Sequence, residues 1–367
     1  MYRWSRQAND PAPVEKTPMI PLSAPSMKTG SWQQQLAGAF SRVGDLLNYL
    51  DLEDHLEPGM AAADNSFSIR VTHFFASLME KGNIHDPLLR QVLPLSAEME
   101  NIPGFSTDPL ADQAAHEGHG ILHKYHGRVL LITTGACAIN CRYCFRRHFP
   151  YADYQMTASH WSALLEQLRK DKTVREVILS GGDPLSLANG RLHTLIQHLQ
   201  DIPHLRRLRI HSRLPVVLPD RLDEPLLDML AGTRLSTSLV WHINHPREIS
   251  TEFTQAVLPL RHRGIPLLNQ AVLLKGVNDR VSVQTELSET LFESGILPYY
   301  LHQLDPVQGA AHFAVNDQEA TELYTLMQAR LPGYLLPRLV REIPGAPSKT
   351  ALTPSQNGQP GIDAGFP

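Results

Sequence analysis

Cysteine is scarce in this sequence, and its distribution excludes one common use of that residue. Only three cysteines occur among 367 residues, and all of them lie between Cys137 and Cys144. An odd and clustered set cannot form a disulfide framework, whereas thiols kept free in a reducing compartment are available to bind a metal. This short segment is therefore the most informative part of the chain.

Long apolar segments and a strong charge bias are also missing. The longest apolar runs, such as residues 129–132, fall far short of the roughly 20 residues that a membrane-spanning helix needs. The N-terminus is polar and predicts no secretory signal. The net charge is -4, and acidic residues interrupt the arginine-rich segments, which argues against a phosphate-tracking surface. We expect a cytoplasmic protein with no membrane and no nucleic-acid partner.

The composition, with 42% hydrophobic and 19% charged residues, is that of an ordinary globular protein. Residues 1–30 are rich in Pro, Ser, Lys and Asn and predict a disordered leader. Residues 31–120 predict a helical region followed by an irregular connector that contains Pro and Gly. Residues 121–342 form the predicted core, and residues 343–367 predict a C-terminal loop and an irregular tail.

Short apolar runs alternate with amphipathic segments through the core, which is typical of parallel strands joined by crossover helices. We predict strands at residues 129–133, 176–180, 208–212, 236–243, 267–273 and 297–302. A capping box from Asn316 to Glu319 predicts the start of a last helix. Right-handed crossovers curl such an α/β sheet into an open or closed barrel with its chemistry at the carboxyl ends of the strands.

The three cysteines form a CxxxCxxC motif directly after the first predicted strand. Three thiolates at these offsets can bind three irons of a 4Fe-4S cluster, which leaves the fourth iron open to an exogenous ligand. The alternatives are a structural zinc site completed by His148 and a set of three unrelated buried thiols. A non-catalytic iron–sulfur electron carrier is a further alternative, although a carrier gains from a fourth cysteine ligand.

The sequence GACAINCRYCFRRHFPY at residues 135–151 resembles the signature of the radical S-adenosylmethionine (radical SAM) superfamily. The resemblance implies that Cys137, Cys141 and Cys144 hold the cluster and that S-adenosylmethionine chelates the open iron. The run LSGGDPL at residues 179–185 resembles the glycine-rich motif of the same superfamily, whose backbone receives the methionyl amino group. That motif implies four cofactor-binding residues: Ser180, Gly181, Gly182 and Asp183.

A closer resemblance is to the lysine 2,3-aminomutase family, and within it to short bacterial members that supply β-lysine for modification of elongation factor P. The runs HKYHGRVLLITTGACAINC, LRIHSRLPVVLP, HINHP, LLNQAVLLKGVND and PYYLHQLDPVQGAAHF carry it in a fixed order. The fold that it implies is a partial (β/α)6 TIM-like barrel of the radical SAM type with an N-terminal helical extension. Further contacts to S-adenosylmethionine are implied for His211, Arg213, His242 and Gln270.

The same resemblance implies a second cofactor, pyridoxal 5'-phosphate (PLP). Lys349 in the run PGAPSKT corresponds to the family lysine that forms a Schiff base with PLP. Lys124, Tyr125 and Arg128 in the run HKYHGR correspond to the residues that bind its phosphate. Without the resemblance, all of these residues would be interpreted as parts of solvated basic turns.

Substrate contacts are implied at both ends of a lysine molecule. Arg146 corresponds to the arginine that binds the carboxylate, and Asp305 to an aspartate that pairs with the ε-ammonium group. Where dedicated lysine enzymes carry a second aspartate, this chain has Glu342. Opposite charges at the two ends of a slot would select a diamino acid.

The function implied is therefore that of an isomerase, an L-lysine 2,3-aminomutase that converts α-lysine to β-lysine, with a functional link to the enzyme that lysylates elongation factor P. An aminomutase that acts on another amino acid is the alternative within enzymes. A glutamate-type substrate would require cations where this chain has Asp305 and Glu342. The sequence leaves open the product stereochemistry, the reductant and whether the chain forms a homo-oligomer.

Overall fold

A layer of short helices opens the fold in the computed structural model. The structure describes residues 30–112, 120–151, 158–353 and 361–362, so the expected leader, apart from Gly30, lies outside the described residues. Five helices, named α1 to α5 in chain order, span Trp32–Ala37, Val43–Tyr49, Pro58–Ser66, His73–Ser77 and Pro87–Arg90. The expected N-terminal helical extension is confirmed.

One sheet carries the core. Its strands, named β1 to β10 in chain order, span Ile121–Tyr125, Arg128–Thr134, Glu176–Gly181, Arg207–Ser212, Ser236–Trp241, Leu267–Val272, Leu297–His302, Arg338–Arg341, Thr350–Thr353 and Gly361–Ile362. Neighbours in the sheet follow the chain order. Strands β2 to β8 run parallel, whereas β1, β9 and β10 pair antiparallel at its ends.

All six predicted strands are confirmed as β2 to β7, each within two residues of its expected bounds. The sequence does not predict the five-residue strand β1. It also does not predict β8 and β9, which are four residues long, or β10, which is two residues long; these three are too short to show a clear alternation. Strand β9 also lies in the tail that was expected to be irregular. Among the described strands, neither β1 nor β2 pairs with β8 or β9. The sheet therefore does not close on itself, and the barrel is open, as a partial (β/α)6 TIM-like barrel requires.

Helices connect the parallel strands. Those named α6 to α12 span Ala158–Lys170, Asn189–Gln200, Leu214–Val217, Glu224–Gly232, Thr251–His262, Val281–Glu293 and Asp317–Gln328. The predicted capping box is confirmed, because Asn316 Oδ1 accepts a hydrogen bond from Glu319 N at 2.9 Å and Glu319 Oε2 accepts one from Asn316 N at 3.3 Å. Within the described part of the chain, no helix combines the length and hydropathy that crossing a membrane requires.

The apolar core lies between the sheet and these helices. Helix α7, for example, buries four apolar residues at helical spacing, Leu192, Leu195, Ile196 and Leu199, and the central strands β4 and β5 bury apolar side chains in the same core. The parallel pairing of the strands sets their register. Their carboxyl ends consequently meet at one rim of the open barrel.

The connector before β1 runs across that rim. Ser106 forms a parallel bridge with Val307 in the segment after β7, and Ser106 N donates a hydrogen bond to Pro306 O at 2.9 Å. The bridge fixes the connector beside the strand ends. It brings the buried residues Leu110 and Asp112 to the edge of the barrel interior.

Candidate active site

A cavity of about 820 Å³ lies inside the open barrel and extends to the carboxyl ends of its strands. All of the site residues predicted from the sequence line it. They are Cys137, Cys141, Cys144, Lys349, Lys124, Tyr125, Arg128, Ser180, Gly181, Gly182, Asp183, His211, Arg213, His242, Gln270, Arg146, Asp305 and Glu342. The fold therefore assembles residues that are up to 225 positions apart, from Lys124 to Lys349, around one volume.

The cysteine loop follows β2 and is fixed by the helical extension. Asn140 N donates a hydrogen bond to Arg70 O at 3.1 Å, and Arg142 N donates one to Gln91 O at 2.9 Å. The fully buried Arg142 side chain pairs with Glu98 of the connector. These bonds hold the cysteines at the end of β2, so the extension takes part in building the site.

The donor set of this loop fits an iron–sulfur cluster better than a single ion. Burial raises the pKa of Cys144 to about 11 and that of Cys137 well above its usual range, so the thiols need a bound metal to become thiolates. No group of three His, Cys, Asp or Glu side chains among the described residues is arranged to hold one ion. His148, which would complete the alternative zinc site, has its Nε2 atom 3.1 Å from Gln308 O instead.

The glycine pair at the end of β3 permits close contact with the cysteine loop. Gly181 has a φ of 118°, a conformation that side-chain-bearing residues rarely adopt. A Cβ atom on Gly182 would lie 2.4 Å from Ala136 O. The N–H of Gly182 donates to Thr134 O at 2.7 Å, and the N–H of Asp183 donates to Ala136 O at 2.8 Å. Both glycines are therefore required where two chain segments meet.

The Asp183 carboxylate lies next to this junction and is fully used within the protein. It accepts hydrogen bonds from Leu185 N, Ser212 Oγ, Arg213 N and Leu214 N, at distances of 2.7 to 3.0 Å. These bonds tie the end of β3 to the end of β4. The expected contact of Asp183 with S-adenosylmethionine stays a prediction, whereas its carboxylate stabilises the junction between the two strand ends.

A group of neutral polar side chains lies at the ends of β4, β5 and β6. Gln270 Nε2 and His242 Nε2 are 3.0 Å apart, and the rings of His211 and His242 meet edge to face at 5.7 Å. Burial lowers the pKa of His242 to about 4 and the pKa of His211 well below its usual value, so both imidazoles are uncharged at neutral pH. Uncharged donors and acceptors are suited to a nucleoside, which is the role expected for these three residues.

Arg213 points toward the cysteine loop rather than toward these histidines. Its Nη1 atom lies 2.8 Å from Cys141 Sγ and 2.6 Å from the Tyr143 hydroxyl. Its Nη2 atom donates to Gln91 Oε1 at 2.7 Å and to Glu248 Oε2 at 2.9 Å. The side chain lines the cavity, but its hydrogen-bond partners are the cysteine loop and a buried polar network.

Charged side chains alternate in sign at the opposite end of the cavity. Lys349 Nζ lies 2.7 Å from Glu342 Oε2, and Lys124 Nζ lies 3.2 Å from Glu342 Oε1. Lys124 also pairs with Asp112, whose second oxygen lies 2.7 Å from Arg146 Nε. We call these five residues the ion chain. It joins the predicted PLP lysine, a predicted phosphate-binding residue and the predicted carboxylate-binding arginine.

Burial raises the pKa of both acids of this region, but the nearest charges shift their two pKa values in opposite directions. Burial alone would raise the pKa of Glu342, but Lys349 and Lys124 outweigh it and lower this pKa to about 2. Burial and the nearby Glu342 raise the pKa of Asp305 to about 7. Glu342 is therefore ionised in the ligand-free protein, whereas Asp305 is half protonated near neutral pH.

Tyr125 and Arg128 flank the ion chain at the start of the barrel. The Arg128 guanidinium lies 4.7 Å from the centre of the Tyr125 ring. Burial, with a contribution from Glu342, raises the pKa of Tyr125 above its ordinary value, so its hydroxyl keeps a proton to donate. Together with Lys124, these groups are the hydrogen-bond donors that a phosphate requires.

The residues of the site that were not predicted from the sequence include Asp112 and His302. Asp112 lies in the irregular connector, where no periodic signal marks a buried carboxylate. His302 ends β7 and has its Nε2 atom buried without a hydrogen-bond partner among the described residues. Burial, and secondarily Lys349, lowers the pKa of His302 well below its usual value. The rule that barrel chemistry lies at the carboxyl ends of strands indicates His302 but not Asp112.

Known proteins resemble this chain over most of its length. The radical SAM superfamily pattern matches residues 131–282. An L-lysine 2,3-aminomutase of Escherichia coli strain K12 is 48% identical over 91% of this chain and 97% of its own length. Proteins of the same name are 49% identical in Haemophilus influenzae, over 87% of this chain and 95% of theirs, and 35% identical in Clostridium subterminale, over 88% and 78%. With its cysteine loop, glycine junction and open barrel, the chain belongs to the lysine 2,3-aminomutase family of the radical SAM superfamily.

Proposed function

We propose that this protein is a radical SAM, PLP-dependent L-lysine 2,3-aminomutase, an isomerase that converts α-lysine to β-lysine. The observation that carries the proposal is that one cavity contains three cysteine thiols at one end and Lys349, within the ion chain, at the other. Relatives that are 48% and 49% identical over most of both chains are named L-lysine 2,3-aminomutase. Two sites that serve different cofactors thus lie within reach of one substrate.

The 4Fe-4S cluster, S-adenosylmethionine and PLP would each supply a different part of the chemistry of the reaction. A 4Fe-4S cluster supplies the electron that cleaves S-adenosylmethionine into a hydrogen-abstracting radical, and PLP supplies a conjugated ring that stabilises an unpaired electron during migration of the amino group. In this chain Cys137, Cys141 and Cys144 are the residues that would hold the cluster. Lys349 is the residue that would hold PLP.

Lys349 reaches the cavity from the turn between β8 and β9, with about a fifth of its side chain exposed. Glu342 holds its Nζ atom at 2.7 Å and so fixes the amine in the cavity before a cofactor arrives. The amine must lose a proton before it attacks an aldehyde, but the low pKa of Glu342 makes this carboxylate a counterion rather than the acceptor of that proton. Glu342 would therefore orient Lys349 through the ion pair.

Selection of a diamino acid follows from the charges around the cavity. Arg146 has its Nε atom engaged with Asp112 and its Nη1 atom 3.3 Å from Ser180 Oγ. The guanidinium can therefore present its remaining N–H groups to a substrate carboxylate. Asp305 and Glu342 place negative charge near Lys349, where a substrate ammonium group is stabilised. A second carboxylate on the substrate would be repelled there, which disfavours a glutamate-type substrate.

Parts of the cavity wall are also shielded from solvent. Tyr143, Arg146, Arg213 and His302 are each less than a tenth exposed, and the connector covers the adjoining edge through Leu110. With substrate bound, these buried walls would limit the access of solvent to the reacting groups. Positioning and exclusion of water are the contributions that we assign to the protein.

The test is to incubate anaerobically reconstituted protein with S-adenosylmethionine, PLP, a strong reductant and L-lysine, and to quantify β-lysine. The expected result is β-lysine formation together with the absorbance of a 4Fe-4S cluster. Deoxyadenosine without β-lysine would retain the radical chemistry and reject lysine as the substrate. Absence of cluster absorbance would overturn the proposal.

Two variants test the assignment of Lys349. Lys349→Ala is expected to lose PLP binding and β-lysine formation while the cluster absorbance stays. Lys275→Ala is the matched control, because Lys275 is exposed and does not line the cavity; it is expected to keep both cofactors. If Lys349→Ala lost the cluster as well, misfolding would explain the effect instead.

We further propose that the β-lysine serves modification of elongation factor P in the cytoplasm. The family resemblance is to short bacterial members with that role, and this chain covers 97% of the Escherichia coli relative. The experiment supplies the enzymatic product to an elongation factor P-lysylating enzyme and measures the mass of the factor. A mass increase with the product and a smaller one with α-lysine are expected. Equal use of both amino acids would contradict this link.

A further inference from the structure

The side chain of Arg213 has a more specific arrangement than a general cofactor contact requires. It is 4% exposed, and its two terminal nitrogens are divided between different partners. Nη1 contacts Cys141 Sγ at 2.8 Å and Tyr143 at 2.6 Å, whereas Nη2 contacts Gln91 and Glu248. A planar guanidinium with fixed donors is suited to such a division, and a lysine ammonium is not.

The network around Arg213 fixes the direction of this contact. Asn244 Nδ2 donates to Tyr143 Oη at 2.6 Å and to Gln91 Oε1 at 2.9 Å. Glu248 Oε1 in turn accepts from Gln91 Nε2 at 3.0 Å and from Asn244 N at 3.0 Å. The partners of Arg213 are thus held from the helical extension and from the loop after β5. The guanidinium cannot leave the Cys141 sulfur without breaking several buried hydrogen bonds.

A buried positive charge beside a cluster ligand affects the redox equilibrium of the cluster. Reduction adds one negative charge to a cluster that three thiolates already make anionic. Hydrogen bonds to the sulfur atoms and nearby cations stabilise the reduced form, and these are recognised determinants of cluster potentials. Glu248 acts in the opposite direction, but Arg213 lies between that carboxylate and the sulfur.

We propose that Arg213 is a positioning residue that orients Cys141 for cluster binding and raises the reduction potential of the bound cluster. This inference rests on the cluster of the proposed function but not on its substrate or on PLP. Its consequence for the reaction is that the electron transfer to S-adenosylmethionine starts from a cluster that physiological reductants can reduce. Arg213 would act through Cys141, without contact to the reacting atoms.

The experiment measures the midpoint potential of the cluster by anaerobic redox titration, followed by electron paramagnetic resonance, in the full-length protein without lysine. Removing Arg213 alone would leave Glu248 as an unpaired buried charge, which is strongly destabilising. The Arg213→Gln/Glu248→Gln double variant is therefore compared with Glu248→Gln, in which Arg213 keeps the cluster-bound Cys141 thiolate as its anionic partner, because these proteins differ only at Arg213. The double variant is expected to be at least tenfold harder to reduce, a shift of about 59 mV for a one-electron couple.

Two arginine-to-lysine variants separate the effect of the hydrogen bond to Cys141 from the effect of the positive charge on the potential. Arg213→Lys keeps the charge but, with a shorter side chain and no fixed fork of donors, is expected to lose part of the four contacts that Arg213 makes. It is expected to lower the potential less than the double variant does. Arg147→Lys is its matched control, because Arg147 is a buried arginine of the same loop that pairs with Glu98 and donates to backbone carbonyls of Arg142 and Gly309. The control is expected to keep the wild-type potential.

The outcomes separate the inference from the proposed function. If the wild-type protein binds no cluster, the proposed function fails first. If the cluster binds and the double variant titrates like Glu248→Gln, the inference is overturned. If the double variant does not bind a cluster, the comparison of Arg213→Lys with Arg147→Lys decides, and equal potentials in these two proteins overturn the inference. A purely structural role would change thermal stability but not the potential.

Discussion

The two ends of the cavity are built by different kinds of interaction. At the cysteine end, main-chain hydrogen bonds and two glycines join the loop after β2 to the end of β3. At the lysine end, ion pairs between side chains connect residues 112, 124, 146, 342 and 349. The first arrangement tolerates almost no change of shape. The second consists of charges that a phosphate, a carboxylate or an ammonium group can replace.

This difference matches the ligands that we propose for each end. A cluster stays bound through many turnovers and needs fixed ligands, whereas a substrate must enter and leave. Ion pairs among the residues of an empty site reduce the cost of keeping charges buried until the ligand arrives. Substitutions at the cysteine end should therefore abolish function, and substitutions at the lysine end should weaken binding by degrees.

The largest effect is expected from Gly182→Ala. The new Cβ atom would lie 2.4 Å from Ala136 O and 2.7 Å from Gly135 C, both of them main-chain atoms that cannot give way without displacing the cysteine loop. The variant is expected to fold but to lose most of its bound iron and its ability to cleave S-adenosylmethionine. Iron content, cluster absorbance and deoxyadenosine formation measure this loss.

Gly190→Ala is the control for the same chemical change. Gly190 lies in α7, and a Cβ atom there would meet nothing within 4 Å. Gly190 is the second residue of α7, where only part of the roughly 0.5–1 kcal/mol advantage of alanine in a helix interior applies, so this variant should be at least as stable as the wild-type protein and keep its iron. A Gly182→Ala protein with full iron content would show that the junction is not rigid, and the contrast between the two ends would fail.

The next largest effect is expected from Glu342→Gln. The substitution removes the shared counterion of Lys349 and Lys124, and a hydrogen bond to a charged group contributes about 1.5–3 kcal/mol. We expect weaker PLP binding and a fall in kcat/KM for lysine of about 10- to 100-fold, since about 1.4 kcal/mol corresponds to a factor of ten. Absorbance titration with PLP and steady-state kinetics measure the two effects.

Glu342→Asp sharpens this test because it keeps the charge and introduces the residue expected in dedicated lysine enzymes. The shorter side chain cannot reach both lysines at their present separation, so an intermediate loss of PLP affinity is expected. Cluster absorbance should be unchanged in both variants. A loss of cluster in either of them would mean that the two ends of the cavity are not independent.

The sequence predicts the cysteine end far better than the lysine end. Motifs of adjacent residues, such as the CxxxCxxC loop and the Gly181 and Gly182 pair, specify local backbone geometry and can be recognised without the fold. The six central strands are likewise visible, because buried parallel strands are continuous apolar runs. Lys349 and Arg146 could be assigned only by family resemblance, since a lysine in a Pro- and Gly-rich loop carries no signal of its own.

Asp112 shows why the other parts of the site could not be predicted from the sequence. It becomes a buried counterion only when the connector crosses the rim of the barrel and brings it beside Lys124 and Arg146. This contact depends on the bridge between Ser106 and Val307, residues about 200 positions apart that no local pattern relates. The hydrogen bonds of Arg213 with Gln91 and Glu248 depend on tertiary contacts of the same kind.

A smaller effect is expected from Asp112→Asn. Burial alone would raise the pKa of Asp112, but Arg146 and Lys124 outweigh it and lower this pKa, so the wild-type residue is a carboxylate at neutral pH. Asparagine keeps the shape but loses the charge that orients both cations. We expect KM for lysine and the Kd of PLP to rise about tenfold, the effect of about 1.4 kcal/mol, with a smaller change in kcat.

The control for this variant is Asp45→Asn, which removes a carboxylate from an exposed contact with Arg42. Surface ion pairs contribute little, about 0–1 kcal/mol, so its kinetics should match those of the wild-type protein. If Asp112→Asn lowered kcat and left KM unchanged, Asp112 would act during the reaction rather than in positioning Arg146, and the assignment of the lysine end to binding would be wrong.

The smallest effect at neutral pH, a pH dependence, is expected from Asp305. Its pKa of about 7 means that the ligand-free site loses this negative charge as the pH falls below 7, whereas a lysine ε-ammonium group, with a pKa of about 10.4, stays charged. Because pairing requires the carboxylate, KM for lysine should rise as the pH falls, by about tenfold for each unit well below 7, and level off above 7. The cysteine end should show no matching change, so cluster absorbance should stay constant across this range. Asp305→Asn should have a higher KM that no longer varies with pH; a variant with the wild-type profile would show that another group controls substrate binding.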